Sequence, residues 1–541
     1  MKKIIAMLLA LLMLVSLMTA CGAKKEDAPA ADAPAADAPA EAPAEDILDT
    51  DLGSAPVSPE AEDAPEASTA RTDLVLATTV PMDGCDPHFN TSTANGTAIN
   101  LVYETLVLVD QQVNVTPLLC EKYDILEEGL VYEYKLKQGV KFHNGEEMKA
   151  SDVVYSFTRA QQAPGMYANV ALIESIEAVD EYTVRIKLIQ PYAPFYHLVG
   201  NVAIVSEKAA TEAGDAFATE PCGTGAFTIS EWTAEKISFT RFEDYHGETP
   251  KLETITVSTV SDAATALMAF EAGDLDYIGV PNSDVERLTN TGLYNMVMVA
   301  SNNTTYITFN NQVAPFDDVR VRQAIAYAIN KEEILLGACE GYGYIAETIG
   351  NPDYTLGLPD VEDVVTYEQN LETAKQLLAE AGYADGLDLG KMMVMAGSDE
   401  FSLTAEIMKS QLEAVGITFE VQLTEPSSFV ADAITGNYGI AIMGITLGID
   451  MAEHEMAYVT AGIDQLNLPR FSNERVDELF GLAMVETDQA KRDEYYAEVV
   501  NIVAEQAAIV PLSYSVSVIA ADPALIFDPI LPVRTWYWAA E

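Results

Sequence analysis

Residues 309–334 read FNNQVAPFDDVRVRQAIAYAINKEEI. From Asp318 the apolar side chains of Val321, Ala324, Ile325, Ala328, Ile329 and Ile334 recur at three- and four-residue steps. That spacing predicts one amphipathic helix with an acidic start. Helical patterns of the same kind begin at Ser261 or Asp262 and stop at Gly273, begin at Asn370 and stop at Gly382, begin at Ser472, and span 488–507. Between them lie strand-like runs at 74–79, 131–136, 182–188, 255–260, 392–395, 419–423 and 440–443. Strands interleaved with helices predict α/β lobes, and the length after residue 70 suffices for two or three domains.

Outward from that body, the N-terminal sequence has a different character. Lys2 and Lys3 precede an apolar run from Ile4 to Met18, and Thr19 and Ala20 lead to Cys21. This is the pattern of a secretory signal peptide over residues 1–20, and the run is too short to span a bilayer. LMTAC at 17–21 resembles a bacterial lipobox, which implies that Cys21 is lipidated and anchors the chain to a membrane. Residues 21–70 are rich in Ala, Pro and acids and hold almost nothing large and apolar, so they are expected to form a disordered tether. An extracytoplasmic location follows, at the cell membrane.

The 541 residues hold 84 acids and 29 bases; setting aside the first 70, with 13 acids and four lysines, leaves 71 against 25. Such a field repels nucleic acid and anionic lipid. Cys85, Cys120, Cys222 and Cys339 are widely separated with no C-x-x-C, which argues against a structural zinc site and for buried thiols. An exported hydrolase is the rival class, yet no G-x-S-x-G is present. HEMAY at 454–458 begins like a zinc-protease helix but has Tyr458 where the second histidine is required. Gly341, Gly343 and Ala346 match a dinucleotide fingerprint only loosely and follow a helix. No catalytic residue, metal site or cofactor is assigned.

Four stretches together resemble the extracellular solute-binding proteins of family 5, which serve ATP-driven peptide and nickel importers. They are GVKFHNGEEMKASDVVYS at 139–156, PCGTGAF at 221–227, the opening stretch at 309–334, and FSNERVDEL at 471–479. Cys222 and Ala226 depart from the family's turn. The resemblance implies a two-lobed, periplasmic-binding-protein-like fold of type II with an extra inserted domain. Lobe I would comprise 71–104, 219–300 and 505–541, inserted domain II 105–218, and lobe III 301–504, with a hinge where the chain crosses. It also implies partners: a peptide-like solute, and an ABC permease with its ATPase subunits.

A peptide binder must grip an ammonium, a carboxylate and main-chain groups. In the family the acid that meets the amine follows a strand ending in Gly-Trp. The matching segment here is Met443, Gly444, Ile445 and Thr446, leading to Asp450, with Glu453 as the alternative; Ile445 replaces the aromatic. From lobe I the loop 83–93 resembles one that contributes contacts, which points to Asn90, Thr91 and Ser92. No basic residue near these segments matches a carboxylate clamp. A nickel or metal-chelate binder is the second reading within the family, its hint being His454 with Met451 and Met456.

Overall fold

The computed structural model describes residues 71–90, 92–110, 114–529 and 533–539. The signal peptide, Cys21, the tether and Thr91 lie outside the described residues. One eleven-stranded sheet runs through the molecule. Its strands are β1 (Asp73–Thr78), β2 (Phe227–Trp232), β3 (Lys236–Arg241), β4 (Thr254–Thr259), β5 (Tyr277–Val280), β6 (Asn295–Phe309), β7 (Tyr344–Ile345), β8 (Leu387–Met395), β9 (Ile417–Thr424), β10 (Ile440–Thr446) and β11 (Ile509–Ala521). Their spatial order is β9-β8-β10-β6-β11-β5-β1-β4-β3-β2, with β7 also on β11. Parallel pairs (β1 with β4, β8 with β9 and β10) lie toward the two ends, while the centre is antiparallel.

The two long central strands serve both lobes. At one end β11 pairs with β5 of lobe I, and at the other β6 pairs with β10 of lobe III. Midway the β6–β11 ladder slips: Ala300 opposes Val516, but the next pair is Thr304 with Tyr514. Ser301, Asn302 and Asn303 thus stand against Ser515 alone, a bulge that breaks the ladder where the lobes meet. The first half of β11 pairs with residues 304–308 of β6 and with β7, and its second half with residues 295–300 of β6 and with β5.

Helix formation follows local capping with two departures. Asp318 caps the helix Val319–Ala328 and accepts from the Arg320 N–H. The expected continuation to Ile334 fails at Ile329, which is extended, because Asn330 caps a second helix, Lys331–Ala338. Arg322 is buried on the first helix and donates to the carbonyls of Phe316, Gln506 and Ala507, tying it to the approach to β11. Burial pulls its pKa down to about 10. The Ala150–Ala160 helix, for which Ser151 is the sequence's cap candidate, instead has Lys149 at its N-cap, whose N–H is held by the Asp152 carboxylate at 2.9 Å.

The inserted domain has its own four-stranded antiparallel sheet, ordered Cys120–Leu126, Val131–Leu136, Thr183–Leu188 and Ile173–Asp180. It meets lobe I at the PCGTGAF turn, whose glycines pack against lobe I backbone and whose Gly225 carbonyl receives a side chain of the inserted domain. A Cβ on Gly223 would lie 2.0 Å from the Val102 carbonyl oxygen, and one on Gly225 2.4 Å from that of Leu101. Only glycine permits that approach of backbone to backbone. The His143 ring, from the Asn-Gly hairpin, reaches the Gly225 carbonyl at 2.9 Å. Cys85, Cys120, Cys222 and Cys339 are free thiols, the first three buried and Cys339 half-buried.

Candidate functional site

The loop leaving β10 runs over the bulge. Asn302 donates to the carbonyls of Leu447 and Gly448 at 3.0 and 3.1 Å and accepts from Asn351 N–H at 2.8 Å and Thr355 Oγ1 at 3.1 Å. Asn303 donates to Thr446 Oγ1 and accepts from Ser515 Oγ. Asn302 and Asn303 therefore fix residues 446–448 over the bulge.

Asp450 does not present a free carboxylate there. Its side chain is 0% exposed and is paired with Arg492 on helix α3 (Gln489–Glu505), at 2.7 and 3.0 Å to its two oxygens. One oxygen also caps the short helix Met451–His454 through the Ala452 N–H at 2.8 Å. The expectation that Asp450 meets a ligand ammonium gives way to an internal ion pair, because the partner cation comes from lobe III itself. Arg492 is 2% exposed. A buried pair of this kind is costly to break from one side.

Glu453 has the character Asp450 lacks. It is half-buried, and its carboxylate has no side-chain hydrogen bond or ion pair among the described residues. Burial, with the neighbouring Asp450 charge, pushes its pKa up to about 7. A Cβ on Gly448 would stand 2.1 Å from Glu453 Oε2, so the glycine makes the room this carboxylate occupies. His454, fully buried, bonds the Gly448 carbonyl through Nε2 at 2.8 Å.

The remaining predicted residues divide. Met443 and Ile445 face the core; the first receives the Tyr306 hydroxyl on sulfur, and the second lines a small apolar cavity with Tyr306, Ile349, Tyr458 and Phe471. Gly444 opposes Thr305 in the ladder, and Thr446 is exposed at the crossing. In lobe I, Asn90 Oδ1 accepts from Ser92 N–H and Asn95 Nδ2, and Ser92 Oγ accepts from Ala94 N–H. These two side chains hold their own loop. The structure brings Glu453, Gly448 and Thr446 together at the crossing, leaves Met443 and Ile445 in the core of lobe III, and buries Asp450 where lobe III meets the inserted domain.

Sequence reading missed Arg492. Its signal was a charged residue on the buried stripe Arg492, Tyr496, Val499 and Val503 of α3. The partner pairing itself, 42 residues away, leaves no local trace.

Two lobes joined by shared central strands, with polar groups gathered at the crossing, define a two-lobed binding protein. Residues 114–462 match the model of bacterial extracellular solute-binding proteins, family 5 middle, and the chain belongs to that family. Heme-binding protein A of Haemophilus influenzae is 29% identical over 78% of this chain and 83% of its own length. The dipeptide-binding protein of Escherichia coli is 27% identical over 86% and 91%. Among solved structures, HbpA2 from Haemophilus parasuis aligns with a TM-score of 0.77 at 26% identity, covering 84% of this chain and 96% of that one. The family is one of bacterial extracellular solute-binding proteins.

Proposed function

We propose that this protein is held outside the cell membrane by a lipid on Cys21, captures a peptide-like solute between lobes I and III, and passes it to an ABC permease driven by a separate ATPase. The observation that carries the solute assignment is the carboxylate of Glu453, held over Gly448 at the lobe crossing beside the Asp450 backbone, with no cationic partner among the described residues. A half-buried acid beside a second, already neutralised acid is short of one positive charge. The free ammonium of a peptide supplies it and adds main-chain groups for strand-like pairing. Arg492 already neutralises Asp450, so the site offers one negative charge and selects one cation.

A heme-binding and a dipeptide-binding protein both stand among the relatives. The metal-chelate reading rested on His454, whose ring is fully buried on the Gly448 carbonyl, and this gives it no support. Isothermal titration with matched free-amine and N-acetylated tripeptides tests the proposal. Acetylation is expected to weaken binding at least 30-fold, in line with about 2–5 kcal/mol for losing a buried charge partner. Equal affinities, or binding of neither, would refute the amine assignment.

A further inference from the structure

Inserted domain II leaves lobe I near 105 and rejoins it near 218, so it travels with lobe I when the lobes move. It nonetheless touches lobe III. Helix α1 (Phe195–Val199) sets His197 Nδ1 3.6 Å from Asp450 Oδ2. Just before it, the Ala193 N–H donates to the Met484 carbonyl at 3.1 Å, at the end of helix α2 (Glu474–Val485). Gly129 of the inserted domain likewise lies close to Thr487.

His197 is 3% exposed, and neither ring nitrogen has a hydrogen-bond partner among the described residues. Such a group is expensive to hold in a permanent interior. In a contact that opens and closes, water satisfies it in the open state. We propose that the inserted domain is a clasp on the solute site, docking on lobe III through α1, so that capture is complete only when His197 stands against the Asp450–Arg492 pair. The proposal takes from the functional reading only that the lobes move.

The groups facing His197 are Asp450 from the loop after β10, Arg492 from α3 and Tyr196 from its own helix, with ring centroids 4.3 Å apart. Burial holds the docked imidazole down at about 4, with Asp450 pulling upward and Arg492 downward. Free of the contact it titrates near 6.5. The folded-and-docked value is the lower one, so docking is fully favoured above pH 6.5 and weakens as pH falls toward 4. At pH 5 the docked-to-undocked ratio drops roughly 30-fold. Glu453, whose charge acts on Tyr192 of the inserted domain, opposes this, since acid relieves its burial.

Spin labels on Ile189→Cys and Leu482→Cys, two exposed sites on either side of the contact, report docking by pulsed electron resonance in the full chain with no solute added. The background carries Cys339→Ser, and each measurement is repeated in Glu453→Gln. One short distance is expected at pH 7.5, with a longer population growing toward pH 5. His197→Asn should abolish the acid response, and His197→Lys should favour the long distance at both pH values. An acid response unchanged in His197→Asn, or one distribution at both pH values in every variant, overturns the clasp. Because no solute is present, a failed peptide assignment leaves this result untouched.

Discussion

Asp450→Asn separates a structural acid from a ligand-facing one. The substitution keeps an oxygen for the Ala452 N–H but removes the charge opposite Arg492, which is 2% exposed and has no other carboxylate within ion-pair distance among the described residues. One-sided loss of a buried pair costs about 3–5 kcal/mol. The retained cap puts the expectation near the lower end, about 3 kcal/mol. For lobes of this size that lowers the melting temperature by roughly 6–12 °C. Urea unfolding followed by far-ultraviolet circular dichroism reads the loss. The double variant Asp450→Leu/Arg492→Met should recover much of it, since hydrophobic replacement of both partners is often neutral. A loss below about 1 kcal/mol, the range of exposed pairs, would show that Asp450 faces solvent or solute, and the internal assignment would fail.

Other expectations follow from the same geometry. Gly448→Ala should force the Glu453 side chain aside and weaken free-amine tripeptide binding about tenfold or more while thermal stability holds, read by titration and calorimetry. Glu453 titrates near 7 when folded against about 4.5 free, so its contribution is fully present below pH 4.5 and lost as pH rises through 7. Glu453→Gln should accordingly be more stable than the parent at pH 8, by up to a few kcal/mol, with the gap closing by pH 4.5; a constant gap in urea titrations would contradict this. Arg322→Met strands the carbonyls of Phe316, Gln506 and Ala507 and should cost about 3 kcal/mol, seen as a lower urea midpoint.

What the sequence revealed was mostly local. Asn370 caps its helix as read, and of Ser261 and Asp262 it is Asp262 that caps, each accepting from the N–H three residues on, because a cap and its partner are neighbours in the chain. PCGTGAF was legible as a motif, and the reason for its glycines, the close pass over Leu101 and Val102, is tertiary. The break at Asn330 was masked by Ile334, whose apolar spacing continued the stripe across a second cap. Around the site, the strand-like run at 440–443 was legible, but not its continuation to Thr446 nor which of its residues turn inward. Periodicity gave no sign that the family-matched acid, Asp450, had been taken by Arg492 and that Glu453 reaches over a glycine instead.

Mass spectrometry of what the full chain carries out of its native cell tests the central claim most directly. Denaturing the purified protein should release one equivalent of short peptides with free amino termini, and Glu453→Gln protein should release far less. Release of heme, a metal chelate or a sugar from both proteins would contradict the account.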